Sequence, residues 1–221
     1  MKRARGRAND PVGMRNRVLD VAARSFQSDG FRATSTHDIA KGAGVTGGAL
    51  HHHFPTKKAL ALAVIGERVA TELASTWITT VRDASSAEEG MLQVFDSVIA
   101  ILDAQGSVSG CPIANLTLEL SLADADLRAA LVGAYSNWRA AIADRIRLDH
   151  QAGRARYAAD PESFANVVIA LFSGAMTIAK AEQSSSALRA CAEQLRMMLR
   201  TSPGAAPSRA NAADATANTE P

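Results

Sequence analysis

Apolar positions recur at helical spacing through most of the chain, and the polar breaks between these runs define the elements. Leu19, Ala22, Ala23 and Phe26 fall three or four apart, which predicts a first helix over about 12–29, stopped by the DG at Gly30. TSTHDIAKGAG predicts a short helix capped by a Thr or Ser near 34–35 and closed by Gly42 or Gly44. Thr46 can cap a second short helix running to about His53. Pro55 breaks the chain before KKALALAVIGERVATELAST, a longer helix. Five more helices follow over 90–102, 112–121, 124–152, a run opened by Asp160, Pro161 and Glu162, and about 185–200. SSAEE, QGSVSG and AEQSSS are the joints, and no strand needs to be invoked.

Helices as short as the second and third are marginal in isolation, so the first must supply a core wall through Leu19 and Phe26. Ile39 and Ala40 lie inward on the second, Val45 plugs the turn, and Leu50 lies inward on the third. This is a helix-turn-helix, in which the second helix of the pair enters the DNA major groove while the first crosses the backbone. The expected fold is all-α: a three-helix head joined to a larger helical body, about nine helices in all. The expected division is a flexible basic arm over 1–11, the helix-turn-helix domain over 12–58 and a helical body over 59–200. Residues 201–221 mix Pro, Gly, Ala and small polar residues without an apolar period and are expected to be disordered.

Charge sharpens this picture more than composition does. Hydrophobic residues make up 47% of the 221, enough for a sizeable core, and the net charge is only +2. Residues 1–60 nevertheless carry eleven Lys/Arg against four Asp/Glu, while the remainder carries thirteen against eighteen. A basic front on a mildly acidic body suits an anionic partner such as nucleic acid or a membrane surface. No run approaches the ~20 apolar residues that span a bilayer. The basic start lacks the apolar core of a signal peptide. Cys111 and Cys191, far apart, suit free thiols in a reducing cytoplasm, so a cytoplasmic protein with no membrane partner is expected.

Thr34, Ser35, Thr36 and Thr46 place hydroxyls and free amides at helix N-termini, where a phosphate is favoured. Lys57 and Lys58 oppose the dipole of the next helix, which an external anion would explain; a solvated lysine pair is the alternative. Gly47 and Gly48 are poor helix residues whose benefit is close approach to bases, leaving His37, His51, His52 and Thr46 to read sequence. Consecutive His51, His52 and His53 fan around ~200° of a helix and cannot converge on one metal ion. HExxH and CxxC are absent, so no metal and no cofactor are expected, and His53 is expected to pack inward.

In the body, Asn115 and Glu119 share a helix face with Cys111 four residues earlier. They form either a polar wall on a ligand cavity or a set of helix-packing bonds. Phe95, Leu102, Tyr135, Trp138, Phe172 and Met176 are candidates for an apolar cavity lining or for core. Phe164, Val168, Leu171, Ala175, Leu188 and Leu195 on the last two helices suit a four-helix interface between two copies. No nucleophile or acid–base constellation stands out, since Glu119, Asn115 and Cys111 lack a nearby His, and an enzyme is not expected.

Residues 15–64 resemble the TetR family of transcriptional regulators, following its GFxxTSxxDIAxxAGVxxGxLYxHFxxKxxL pattern. His51 departs from it, standing where the family has a tyrosine that commonly touches a phosphate. The resemblance implies DNA-facing roles for Thr36, Thr46, Gly48, His52 and Lys57, and a homodimer on a palindromic double-stranded operator. Residues 110–146 resemble the subgroup with a GCP…N…E segment, which includes regulators of drug efflux and reactive-compound detoxification. The resemblance also implies that the larger helical domain over 59–200 is a ligand-binding (effector-binding) and dimerisation domain, that the effector is a small molecule, largely apolar, and that repression works by release; an activator would leave the same signature.

Overall fold

Nine helices form among the residues described by the computed structural model, which are 10–155 and 157–200. α1 (Pro11–Ser28) opens on Asp10, whose carboxylate accepts from the Gly13 amide at 2.9 Å. Ser35 caps α2 (Thr36–Ala43), and Gly44 ends it at φ 66°, a left-handed conformation that costs glycine little. Thr46 caps α3 (Gly47–His53) by accepting from the Ala49 amide at 3.1 Å. Val18, Leu19, Ala22 and Phe26 of α1 are buried together with Ile39, Ala40 and Leu50, so the three helices share one core.

Thr56 caps α4, which runs over 57–83, beyond the expected end, through π-helical turns at Val64–Val69 and Ala74–Ile78. The remaining helices are α5 (Ala87–Gln105), α6 (Pro112–Leu120), α7 (Ala125–Gln151), α8 (Pro161–Glu182) and α9 (Ser186–Arg200). The body centres on Trp77, whose ring lies 5.1 Å from that of Trp138 and 5.0 Å from that of Phe172. A buried ion cluster closes one end. Asp149, fully buried, accepts from the Ala87 amide at 2.6 Å, from Arg145 at 2.9 Å and from Arg154 at 2.8 Å. Arg145 also donates to the Ala84 carbonyl, so α7 grips the turn between α4 and α5.

The structure reassigns most of the side chains expected at a dimer surface. Val168, Ala175, Leu188 and Leu195 are buried inside their own subunit, and Phe164 and Leu171 are half-buried. Val167, Ile178 and Met197 are the large apolar side chains that α8 and α9 expose. The reason is that α8 is apolar on several faces, so periodicity cannot say which one meets α7 and α9. The same property makes α8 the one helix among the described residues long and apolar enough to cross a membrane, contrary to the sequence expectation; 39% of its most apolar stretch is buried. The polar tail over 201–221 and all of the basic arm except Asp10 and Pro11 lie outside the described residues.

Candidate functional site

Two features stand out: an exposed end of the helix-turn-helix and a cavity in the body. On the first, Thr46, Gly47, Gly48, His51, His52 and His37 are exposed and Thr36 is half-buried. A β-carbon built on Gly47 or Gly48 would meet nothing within 4 Å, so no internal packing requires glycine there. Ser35 is exposed, but its hydroxyl accepts from the Asp38 amide and donates to the Asp38 carboxylate. His53 is half-buried beside Phe54.

Three side chains expected at DNA have partners within the protein. Thr34 is buried and its hydroxyl donates to the Gly30 carbonyl at 2.8 Å, closing the α1–α2 turn. The Lys58 ammonium lies 2.7 Å from both Asp124 and Asp126 at the start of α7. Lys57 sits 4.3 Å above the Phe31 ring, and burial pushes its pKa down while Glu119 pulls it up. Neither lysine's partners were legible locally, because Asp124, Asp126 and Glu119 come from remote helices.

The cavity has a volume of about 630 Å³ and is partly open. Among the expected residues Leu102, Cys111, Phe172 and Met176 line it. Phe95 and Trp138 are instead fully buried around Trp77, Tyr135 stacks on Trp138, and Asn115 and Glu119 lie outside the lining. The wall missed by sequence reasoning is α4, which contributes Val69, Glu72, Leu73, Thr76, Trp77 and Thr80. Its signal was present: Glu72, Thr76 and Thr80 repeat every four residues and so share one helix face. Burial pushes the Cys111 thiol up to about 11, which suppresses the reactive thiolate at neutral pH.

Asn115 and Glu119 join the cavity's rim to the helix-turn-helix. Asn115 donates to the Gln27 carbonyl at 3.2 Å and the Ser109 carbonyl at 2.9 Å, while the Gln27 amide donates to the Gly110 carbonyl at 3.0 Å. Gln27, Ser109 and Gly110 all line the cavity. One turn further along α6, the Glu119 carboxylate accepts from the Phe31 amide at 2.9 Å and the Arg32 amide at 2.8 Å. Gly30 has φ 91°, and a β-carbon there would stand 2.7 Å from Glu119 Oε1, so this close approach requires glycine. Arg15–Glu67 and Arg68–Asp20 ion pairs add a second tie, between α1 and the first π-helical turn of α4.

Comparison with known proteins agrees with this division of features. Residues 18–64 match the model described as bacterial regulatory proteins, tetR family, and residues 87–194 match that of the transcriptional regulator LmrA/YxaF-like C-terminal domain. The uncharacterized HTH-type transcriptional regulator YxaF of Bacillus subtilis is 26% identical over 84% of this chain and 95% of its own length. The HTH-type transcriptional repressor DhaR of a Mycobacterium species is 29% identical over 82% of this chain and 88% of its own. A solved TetR-family regulator from Cytophaga hutchinsonii superposes with a TM-score of 0.76 at 26% identity, covering 87% of this chain and 96% of that one. Among the described residues no group of three or more His, Cys, Asp or Glu side chains is placed to hold a metal ion.

Proposed function

We propose that this chain, which belongs to the tetR family of bacterial regulatory proteins, is a cytoplasmic repressor that binds a palindromic operator as a homodimer and releases it when an effector fills the body cavity. The observation that carries this reading is the bonded path from the cavity rim to the α1–α2 turn, through Gln27, Asn115 and Glu119. A ligand that favours a different placement of 109–111 and α6 changes the position of that turn, and with it α2 and α3. Such a ligand shifts DNA affinity by its differential affinity for the two arrangements, and no more. Thr36, His37, Thr46, Gly48, His51 and His52 form the DNA-facing set, with Thr46 and the free amides of α3 at a phosphate. The exposed Val167, Ile178 and Met197 of α8 and α9 contribute to the partner-facing surface.

A mobility shift on the DNA flanking the chain's own gene tests the DNA-binding half. The His51 and His52 side chains are exposed and make no hydrogen bond or ion pair with another described residue, so His51→Ala/His52→Ala leaves folding intact. The double variant is expected to bind at least about tenfold more weakly, at roughly 1–3 kcal/mol per lost base contact, with an unchanged thermal midpoint. Equal binding by wild type and variant would remove α3 from the interface.

A further inference from the structure

We propose that the effector accepted by this cavity is a cation on a largely apolar body, with the Glu72 carboxylate as its counter-ion. The inference rests on the cavity's being the effector site. Among the described residues Glu72 is the one charged side chain in the lining; no Lys, Arg or His contributes to it. The other polar groups of the wall, among them Gln27, Thr76, Thr80 and Ser97, are neutral. No cation stands within ion-pair distance of Glu72 among the described residues, whereas Glu67, Asp20, Asp124 and Asp149 are all paired. Lys180, whose aliphatic chain runs against Gly110 near the rim, makes no ion pair with it either.

An occupant that covers Glu72 makes its unpaired carboxylate costly. Glu72 is exposed to solvent, although the protein around it pushes its carboxyl above the usual range by burial. A neutral occupant would displace the water that remains and leave the charge without a partner. An anion would add repulsion in a medium that screens poorly. A cation relieves both costs. The lining also holds Trp77 and Phe172, edge to face with centroids 5.0 Å apart, and aromatic rings attract cations further. Glu72 lies on α4 between its two π-helical turns, and α4 begins immediately after α3 and Pro55. A cation drawn to Glu72 therefore pulls on the helix that carries the DNA-reading unit.

Tetraphenylphosphonium and tetraphenylborate, nearly equal in size and shape and opposite in charge, provide the test by calorimetry and by quenching of tryptophan fluorescence. The quantity to read is the ratio of phosphonium to borate affinity in the full-length protein. It is expected to fall by about tenfold or more in Glu72→Gln. The variant keeps the side chain's shape and breaks no bond, and its thermal midpoint is expected at or above that of the wild type. Ser97→Trp, which places a bulky ring in the lining, is expected to weaken binding of both probes by about tenfold or more. A ratio unchanged in Glu72→Gln, with the borate still bound and still weakened by Ser97→Trp, overturns the cation inference and leaves the cavity as effector site. Binding of neither probe, or binding indifferent to Ser97→Trp, overturns the cavity reading and this inference with it.

Discussion

Alanine in place of Glu119 is expected to disconnect the DNA-reading helices from the cavity while leaving both folded. The carboxylate accepts two backbone amides, from Phe31 and Arg32, in a turn whose glycine at 30 has room for nothing larger. A hydrogen bond to a charged group contributes ~1.5–3 kcal/mol. Glu119 is only half-buried and its two bonds share one charge, so the loss is expected to total about 2–4 kcal/mol. Hydrogen exchange at the Phe31 and Arg32 amides is expected to quicken, and Lys57 loses the carboxylate that opposes the lowering of its pKa by burial. Operator affinity without ligand is expected to change little, since no DNA-facing side chain is removed. Release by a cavity ligand is expected to weaken by about fivefold or more, the lower range of ordinary coupling energies. Glu119→Gln, which keeps one acceptor, is expected to fall between. Full ligand-driven release from the alanine variant would show that the signal travels by another route, such as α4 and its ion pairs with α1.

The largest loss of stability is expected from Asp149→Ala. Asp149 is fully buried and gathers Arg145, Arg154 and the Ala87 amide around one carboxylate. Removing one side of a buried ion pair strands the other, at a cost of about 3–5 kcal/mol. Arg145 is poorly placed to absorb it, because its Nε already lacks a hydrogen-bond partner. The midpoint of denaturant unfolding is expected to drop with an unchanged slope. Loss of the Ala87 bond also frees the start of α5, which carries the far wall of the cavity. An alanine variant within about 1 kcal/mol of wild type would mean that relaxation or water replaces the carboxylate.

Much of the fold was legible because its signals are local. Ser35, Thr46, Asp124 and Asp160 all cap the helices that follow them, and Gly44 takes the left-handed conformation its position in the turn implied. The order and number of helices follow from such caps and from apolar spacing. The site was less legible, because it depends on partners far apart in the chain. Asn115 and Glu119 share a face, as their spacing requires, but spacing alone left open whether that face meets a cavity or another helix. The structure aims it at Gln27 and the turn at 31–32, 88 residues away. Lys58 looked free for phosphate until Asp124 and Asp126 arrived from the start of α7. On α8 both faces are apolar, so Val168 and Ala175 could not be told from Val167 and Ile178 without the packing of α7 and α9. Glu72 was overlooked because an acid in an amphipathic helix usually marks a solvated face. Only the cavity shows what it confronts.

The central claim is that two copies of α3 read duplex DNA from one dimer, and hydroxyl-radical footprinting of the DNA flanking the chain's gene tests it most directly. Two protected patches related by a two-fold axis are expected on one face of the duplex, their centres one helical turn or a whole multiple apart. Both should fade together when His51 and His52 are replaced by alanine. Protection without that symmetry, or equal protection by the double variant, would contradict the claim.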